Sequence, residues 1–173
     1  LTADQKRYLL ERFFDTNRRI IQRFPRYQQL LTMRDEAGID AALEQWSAGD
    51  FRDLQVLFNL AWIDPDWLAQ APLEALADKG EGFTEADKKV LFDETLRIIK
   101  QVIPEHKKLQ DAGQIEVTMT PYAHPILPLL VNLQLAKNAV PDINLPSMPL
   151  IAGQDAQAQV KKGVGFYREH FGQ

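Results

Sequence analysis

The sequence contains no cysteine, which excludes disulfide scaffolds, thiolate zinc sites, iron–sulfur clusters and cysteine nucleophiles. It also lacks any apolar run approaching the roughly 18 residues of a membrane-spanning helix, so no membrane partner is expected. The sequence also has little excess of either charge, because 20 Lys and Arg nearly balance 24 Asp and Glu and the net charge is −4. This weak acidity argues against a nucleic-acid partner.

Motifs for metal and phosphate chemistry are missing too. The three histidines, His106, His124 and His170, lie far apart and form no i,i+4 pair. No glycine-rich loop follows a strand, and there is no Gly-x-Ser-x-Gly elbow. We therefore expect neither a metal nor a cofactor in these 173 residues.

What the sequence does have is an ordinary globular composition, with 45% hydrophobic and 25% charged residues. Its length predicts a single domain or segment. The chain starts at Leu1 without methionine and stops just after a predicted helix, so we expect a piece of a larger protein. With no cysteine and no visible targeting signal, a cytoplasmic location is expected.

Apolar residues recur at helical spacing through most of the chain. Thr2 and Gln5 form a capping-box pattern at the first helix. Thr84 and Asp87 form another, and the apolar rows that follow predict the longest helix from Thr84 to about Ile103, interrupted at Pro104. The chain is therefore predicted to be predominantly α-helical.

The period of the pattern changes after Gly113, a natural helix stop. From 114 to 120, apolar and polar residues alternate, which predicts a β-strand enclosed on both faces beside other strands. The fold class expected from this pattern is α/β. A loop stiffened by three prolines follows the strand and contains Tyr122 and His124.

The strand and its loop hold the first candidate site residues. In α/β barrels the loops after the strands build the active site, so Glu116 and His124 are candidate substrate contacts. Two structural alternatives stay open: Glu116 caps a neighbour or faces water, and the His124 imidazole satisfies a buried carbonyl.

Aromatic residues supply further candidates, because flat rings cover the apolar face of a sugar. Trp67 and Tyr122 follow turn signals and are expected to be exposed, as sugar-stacking residues should be. Trp62 is expected to lie in the core, on the same apolar face as Phe51 and Phe58.

Two charged groups have structural interpretations that we favour. Asp64 and Asp66 flank a proline in a turn, where helix capping is the commoner role than a catalytic carboxylate pair. The stretch from Lys6 to Arg34 holds eight basic and two acidic residues. It could be a nucleic-acid arm, but a solvated face opposed by acidic neighbours is favoured.

The segment Gly113–Leu130, which reads GQIEVTMTPYAHPILPLL, resembles the second of the sequence regions shared by glycoside hydrolase family 57. Stretches similar to the amylopullulanase-like branch of that family occur in order along nearly the whole chain. They are Leu1-Thr2 through Phe13-Phe14, Pro25-Arg26-Tyr27 with Leu30-Leu31, Asp53-Leu54-Gln55 with Phe58 to Trp62, Phe83-Thr84 with Asp87-Lys88, Ile103-Pro104 with Lys107 to Gln110, Leu145-Pro146, Asp155-Ala156 with Gln159, and Phe171-Gly172.

The resemblance implies a fold and a chemistry. The fold would be an incomplete TIM-like barrel of seven β/α units, with a helical insertion over about 1–112 and a barrel strand, loop and helices over about 113–173. The chemistry would be retaining hydrolysis or transfer at α-1,4 or α-1,6 glucosidic bonds, with an α-glucan or oligosaccharide as substrate. The family's nucleophilic Glu and general-acid Asp would both lie outside this segment, so the isolated segment is expected to be inactive.

The resemblance also implies roles for single residues. Glu116 and His124 match positions that bind substrate or support the active site in relatives, and the remainder of the parent catalytic domain would be the segment's partner. One departure is Gly153-Gln154, where relatives usually show Pro-Glu. The alternative function is a non-catalytic helical module for protein interaction or carbohydrate binding.

Overall fold

Helices account for the regular structure in the computed structural model, which describes residues 1–148 and 151–172. Within these residues the chain forms ten α-helices, one 3-10 helix at Leu133–Asn138 and no β-strand. The α-helices are α1 (Ala3–Arg12), α2 (Arg18–Ile21), α3 (Pro25–Ala37), α4 (Ile39–Gln45), α5 (Ala48–Ala61), α6 (Pro65–Leu68), α7 (Leu73–Lys79), α8 (Glu85–Asp111), α9 (Leu127–Val131) and α10 (Gly153–Phe171). The prediction of a predominantly helical chain is confirmed.

Both predicted capping boxes are present. At α1, Thr2 Oγ1 accepts from the Gln5 backbone N–H at 3.3 Å, and Gln5 Oε1 accepts from that of Thr2 at 2.8 Å. At α8, the Asp87 carboxylate accepts from the Thr84 backbone N–H at 2.7 Å. The Lys79 ammonium and the Thr84 backbone N–H together lower the pKa of Asp87 to about 2.

Helix α8 is the longest helix, as predicted, but it does not break at Pro104. Proline removes one N–H from the helical ladder. The helical turns on either side of Pro104 keep their N–H donors and hydrogen bonds, so the helix continues to Asp111. It ends on Gly113, whose φ is 69°, with Gln114 N–H donating to Leu109 O at 3.0 Å and Gly113 N–H to Gln110 O at 2.9 Å. This is a Schellman ending, and it confirms Gly113 as the helix stop.

The chain divides into two units, and α8 runs across the boundary between them. Unit 1 is Leu1–Lys100, and unit 2 begins at Gln101. Unit 1 holds all of the largest fully buried side chains among the described residues, which are Tyr27, Phe51, Phe83, Leu10, Ile21, Leu30, Leu54, Leu57, Leu60, Leu73, Leu91 and Val56. The Tyr27 hydroxyl donates to the Phe13 carbonyl, and burial raises the pKa of that hydroxyl.

A buried carboxylate ties three parts of unit 1 together. Asp53, on α5, is only 3% exposed. Its Oδ1 accepts from the Phe83 backbone N–H at 3.0 Å, and its Oδ2 accepts from Arg26 Nε, on α3, at 3.1 Å. The Arg26 guanidinium also pairs with Asp50, whose carboxylate closes the capping box of α5. The cluster therefore links α3, α5 and the loop that leads into α8.

Unit 2 has no comparable core. Its buried residues in the described part are small, namely Ala152, Ala156 and Gly163. The predicted helix after Ile126 forms as α9 followed by the 3-10 helix, and the last predicted helix forms as α10. No described helix is both long enough and apolar enough to pass through a bilayer.

The prediction of a buried strand over 114–120 is wrong. These residues have no regular secondary structure, and Glu116, Thr118 and Thr120 are exposed rather than enclosed. A strand needs a neighbouring strand to satisfy its backbone groups. Here part of that role falls to α10, because the Tyr167 hydroxyl donates to the Val117 carbonyl at 3.1 Å.

Candidate functional site

The segment that carries Glu116, Tyr122 and His124 lies across α10 at a glycine. A Cβ built on Gly163 would stand 3.1 Å from both Met119 Sδ and the Thr120 carbonyl oxygen. One turn earlier on α10, Gln159 fixes the next part of the segment. Its carbonyl accepts from the Tyr122 backbone N–H at 3.2 Å, and its Oε1 accepts from that of Ala123 at 2.7 Å.

His124 is held in an unusual backbone conformation. Its φ is 54°, the left-handed region that non-glycine residues adopt rarely and at a cost. Its backbone N–H donates to the Pro121 carbonyl at 2.8 Å, which closes a turn, and its side chain is exposed. Strain retained at a polar residue is a pointer to function, because glycine would adopt the same conformation without it.

Glu116 and the His124 imidazole are both free of protein partners in the part of the chain that the structure describes. The expected alternative in which His124 satisfies a buried carbonyl is therefore not seen among these residues. Glu116 faces water, as its structural alternative allowed. Both side chains keep their full hydrogen-bonding capacity for a ligand or for another polypeptide segment.

Tyr122 provides an aromatic surface on the same segment, two residues before His124. Its ring is half exposed, with Lys162 Nζ 4.0 Å from the centroid and the Phe166 ring edge-on at 6.3 Å. A cleft of about 310 Å³ opens between this ring, Thr118 and Tyr167. The structure thus brings a phenol and an ammonium group together at Tyr122 and Lys162, while Glu116 and His124 lie elsewhere on the same segment.

Trp67, the fourth candidate, lies in unit 1 and is less exposed than predicted. It is half-buried against the unit 1 core, and the Arg97 guanidinium stands 5.1 Å from its ring centroid. Trp62, predicted to be core, is instead 64% exposed. Helix α5 directs Leu57 and Leu60 inward, which leaves Trp62 at the helix end facing outward.

The remaining charged candidates take the structural roles that we favoured. Asp64 caps α6 by accepting from the Asp66 backbone N–H at 2.9 Å. Four of the eight basic residues between Lys6 and Arg34 pair with aspartates: Arg7 with Asp40, Arg12 with Asp15, Arg26 with Asp50 and Asp53, and Arg34 with Asp35. Among residues 1–148 and 151–172, no cluster of three potential metal ligands is found.

Two residues that position the segment, Gln159 and Gly163, were not predicted as site residues. Gln159 supplies both a backbone and a side-chain acceptor, and Gly163 provides the space in which the segment passes. Gly163 could have been found from the sequence, because a glycine inside a predicted helix lowers helix stability and therefore indicates a close packing contact. Gln159 stood in a stretch similar to the family, but no role was predicted for it.

Gly163→Val should release the segment from α10. Its side chain would overlap Met119 and Thr120, and overpacking of this kind costs about 1–3 kcal/mol. We expect amide hydrogen exchange at Tyr122 and Ala123 to become about 5–150-fold faster, as followed by NMR. Gly165→Val is the matched control, because nothing lies within 4 Å of a Cβ there. Equal exchange rates in the two variants would contradict the close approach.

Comparison with protein-family models assigns the chain to a family. The family model described as Glycosyl hydrolase family 57 matches residues 4–173. No curated protein and no solved structure matches the chain. The match takes in both units and the whole segment from Glu116 to His124.

Proposed function

Since the chain belongs to glycosyl hydrolase family 57, we propose that it is a segment of a retaining enzyme that acts on α-1,4 or α-1,6 glucans. The reaction is hydrolysis of the glucosidic bond or transfer of the glycosyl group, and the amylopullulanase-like branch is the closest fit to the motifs. The observation that carries the proposal is the family match over residues 4–173, which includes the Gly113–Leu130 motif.

Glu116 and His124 are proposed to bind substrate or to orient a neighbouring catalytic group. Support comes from their exposed side chains, which have no partner in the described part of the chain. A carboxylate accepts hydrogen bonds from sugar hydroxyls, and an imidazole donates to or accepts from them. Tyr122 and Trp67 are proposed to pack against sugar rings, Tyr122 with more of its ring free.

The catalytic nucleophile and the general acid are proposed to lie outside residues 1–173. A retaining glycosidase needs two carboxyl groups about 5–5.5 Å apart on either side of the scissile bond. Asp64 and Asp66, the pair considered from the sequence, belong to the start of α6, where Asp64 is engaged as the cap. The isolated chain is therefore expected to show no turnover.

The remainder of the parent catalytic domain is proposed to cover unit 2. Many large apolar side chains of this unit are exposed, among them Ile126, Val131, Val140 and Ile151. Exposed apolar groups in this number are typical of a surface that another segment buries. The family's incomplete seven-unit barrel would provide such a segment.

The test compares the full-length parent with the 173-residue chain on starch and pullulan. The parent is expected to release reducing sugars with retained anomeric configuration, as shown by NMR of the first products. The 173-residue chain is expected to release none. Turnover by this chain alone would overturn the placement of the carboxylates, and a parent inactive on every α-glucan would overturn the substrate class.

A non-catalytic carbohydrate-binding module is the second candidate function. The observation in its favour is the exposure of the Trp62 and Tyr122 rings. A full-length parent that binds α-glucans tightly, and whose binding is not followed by bond cleavage, would favour the module over the enzyme.

A further inference from the structure

Four aromatic rings form a continuous run on unit 1. Tyr8 meets Phe13 edge-on at 6.3 Å between centroids, Phe13 packs on Phe58 at 4.3 Å, and Phe58 meets Trp62 edge-on at 6.3 Å. We call these four residues the aromatic strip. They come from the two helix ends that meet here, Tyr8 and Phe13 from the end of α1 and Phe58 and Trp62 from the end of α5.

The two ends of the aromatic strip face solvent. Tyr8 is 59% exposed and Trp62 is 64% exposed, whereas Phe13 and Phe58 are half-buried against the unit 1 core. Tryptophan is buried to a large extent in most proteins, so a ring this exposed is unusual. The other two tryptophans behave differently, since Trp46 is buried and the Trp67 ring lies beneath Arg97.

We infer that the aromatic strip is a binding surface for a neutral α-glucan chain, separate from the segment at Glu116 and His124. The inference rests on the proposed function for the choice of glucan as the sugar polymer. Aromatic faces cover the apolar side of a pyranose ring. Strip residues carry no charge, which fits an uncharged ligand, and the run is longer than one ring, which fits an oligosaccharide.

Polar groups at both ends complete the surface. The Tyr8 hydroxyl and the Trp62 indole N–H make no hydrogen bond to any described residue. Each can therefore bond to a sugar hydroxyl at the edge of the ring that it supports. A few fixed polar groups around an aromatic wall are the usual composition of a small-ligand site.

A nucleic acid would also stack on such rings, but it needs cations along its path. Arg7 and Arg12, the sequence neighbours of Tyr8 and Phe13, are each paired with an aspartate. The net charge of the chain is −4, which opposes a polyanion. The observations therefore favour the neutral polymer.

The test titrates the 173-residue chain with maltoheptaose, using intrinsic tryptophan fluorescence and calorimetry. Trp62→Ala is expected to raise the Kd at least tenfold, a change of about 1.4 kcal/mol, and Tyr8→Ala to raise it several-fold. Trp62→Phe keeps a flat ring and should retain most of the affinity. Phe92→Ala is the matched control, because Phe92 is a 50% exposed aromatic on α8 outside the strip, and its Kd should be that of the unmodified chain.

Several results would overturn the inference. They are no binding by the unmodified chain at about 10 mM maltoheptaose, equal binding by Trp62→Ala, or tighter binding of a single-stranded oligonucleotide than of the sugar. Circular dichroism of each variant shows whether the helices are intact, and Trp62→Phe keeps the test informative if the alanine variant unfolds.

Failure of this inference and failure of the proposed function give different results. If the parent hydrolyses starch but the 173-residue chain does not bind maltoheptaose, only the binding role of the aromatic strip is rejected. If the 173-residue chain binds maltoheptaose through Trp62 but the parent cleaves no α-glucan, only the proposed enzymatic function is rejected.

Discussion

Asp53→Ala is expected to lower the free energy of unfolding by about 3–5 kcal/mol, the usual cost of removing one partner of a buried ion pair. The Asp53 carboxylate is buried and accepts from the Arg26 guanidinium and from the Phe83 backbone N–H. The alanine variant loses both bonds and leaves the Phe83 N–H without its acceptor. An unsatisfied buried donor adds to the loss, because it gives up its hydration and receives nothing in exchange.

Asp40→Ala is the matched control for this substitution. Asp40 also pairs with an arginine, Arg7, but the two side chains are 88% and 45% exposed. An exposed pair of this kind contributes little to stability, because water competes for both charges. Urea unfolding at neutral pH, followed by circular dichroism, measures both variants. Similar losses at Asp53 and Asp40 would show that burial does not govern the strength of the Asp53 cluster.

Glu116→Gln and His124→Ala in the full-length parent are each expected to slow turnover by about ten- to hundred-fold. A hydrogen bond to a charged group contributes roughly 1.5–3 kcal/mol. If the bond is made mainly in the transition state, its loss raises the activation free energy by that amount and slows the reaction. Neither side chain has a partner among the described residues, so stability should hardly change. Steady-state kinetics on a soluble glucan, with unfolding curves of the same variants, checks both statements.

His124→Gly separates a functional role from a structural one. Because the φ of His124 is 54°, glycine should relieve strain there and raise or preserve stability, while the loss of the imidazole should slow turnover. A purely structural histidine would give a stability change with unaltered kinetics. Kinetics unchanged in Glu116→Gln, His124→Ala and His124→Gly would show that neither side chain takes part in the reaction.

Local signals in the sequence predicted local structure well. The capping box at Thr84 and Asp87 and the helix stop at Gly113 each involve residues three to five positions apart. Both partners of each interaction are therefore visible in a short stretch of sequence. The helix passing through Pro104 shows the limit of such signals. A helix can tolerate one missing N–H donor when the turns around it keep their hydrogen bonds. The sequence alone does not show whether those bonds outweigh the loss at Pro104.

Features that depend on distant residues were predicted poorly. Alternation over 114–120 describes a strand only if another strand lies beside it, and α10 lies there instead. Exposure of Trp62 and partial burial of Trp67 depend on how the end of α5 meets other helices. The role of Asp53 depends on Phe83, thirty residues away, and no spacing rule connects them.

The candidate site residues were proposed from the strand-and-loop pattern and from turn signals, and the family resemblance then added support for Glu116 and His124. Glu116, Tyr122 and His124 lie on one segment because the sequence places them there. Their support by Gln159 and Gly163 is a tertiary property of α10. Sequence reasoning therefore proposed the polar and aromatic side chains of the candidate site but not the contacts of Gln159 and Gly163 that hold the segment.

The uneven distribution of large buried side chains has an evolutionary consequence. Unit 1 holds the large buried residues of the described chain, while the segment from Glu116 to His124 belongs to unit 2, where only small residues are buried. Substitutions in that segment remove little buried apolar area, so they leave the stability margin of the fold nearly untouched. Natural selection can therefore test new side chains around Glu116 and His124 by what they do to a ligand. In the helices around Asp53, by contrast, substitutions at buried positions cost much more stability, so the fold constrains them first.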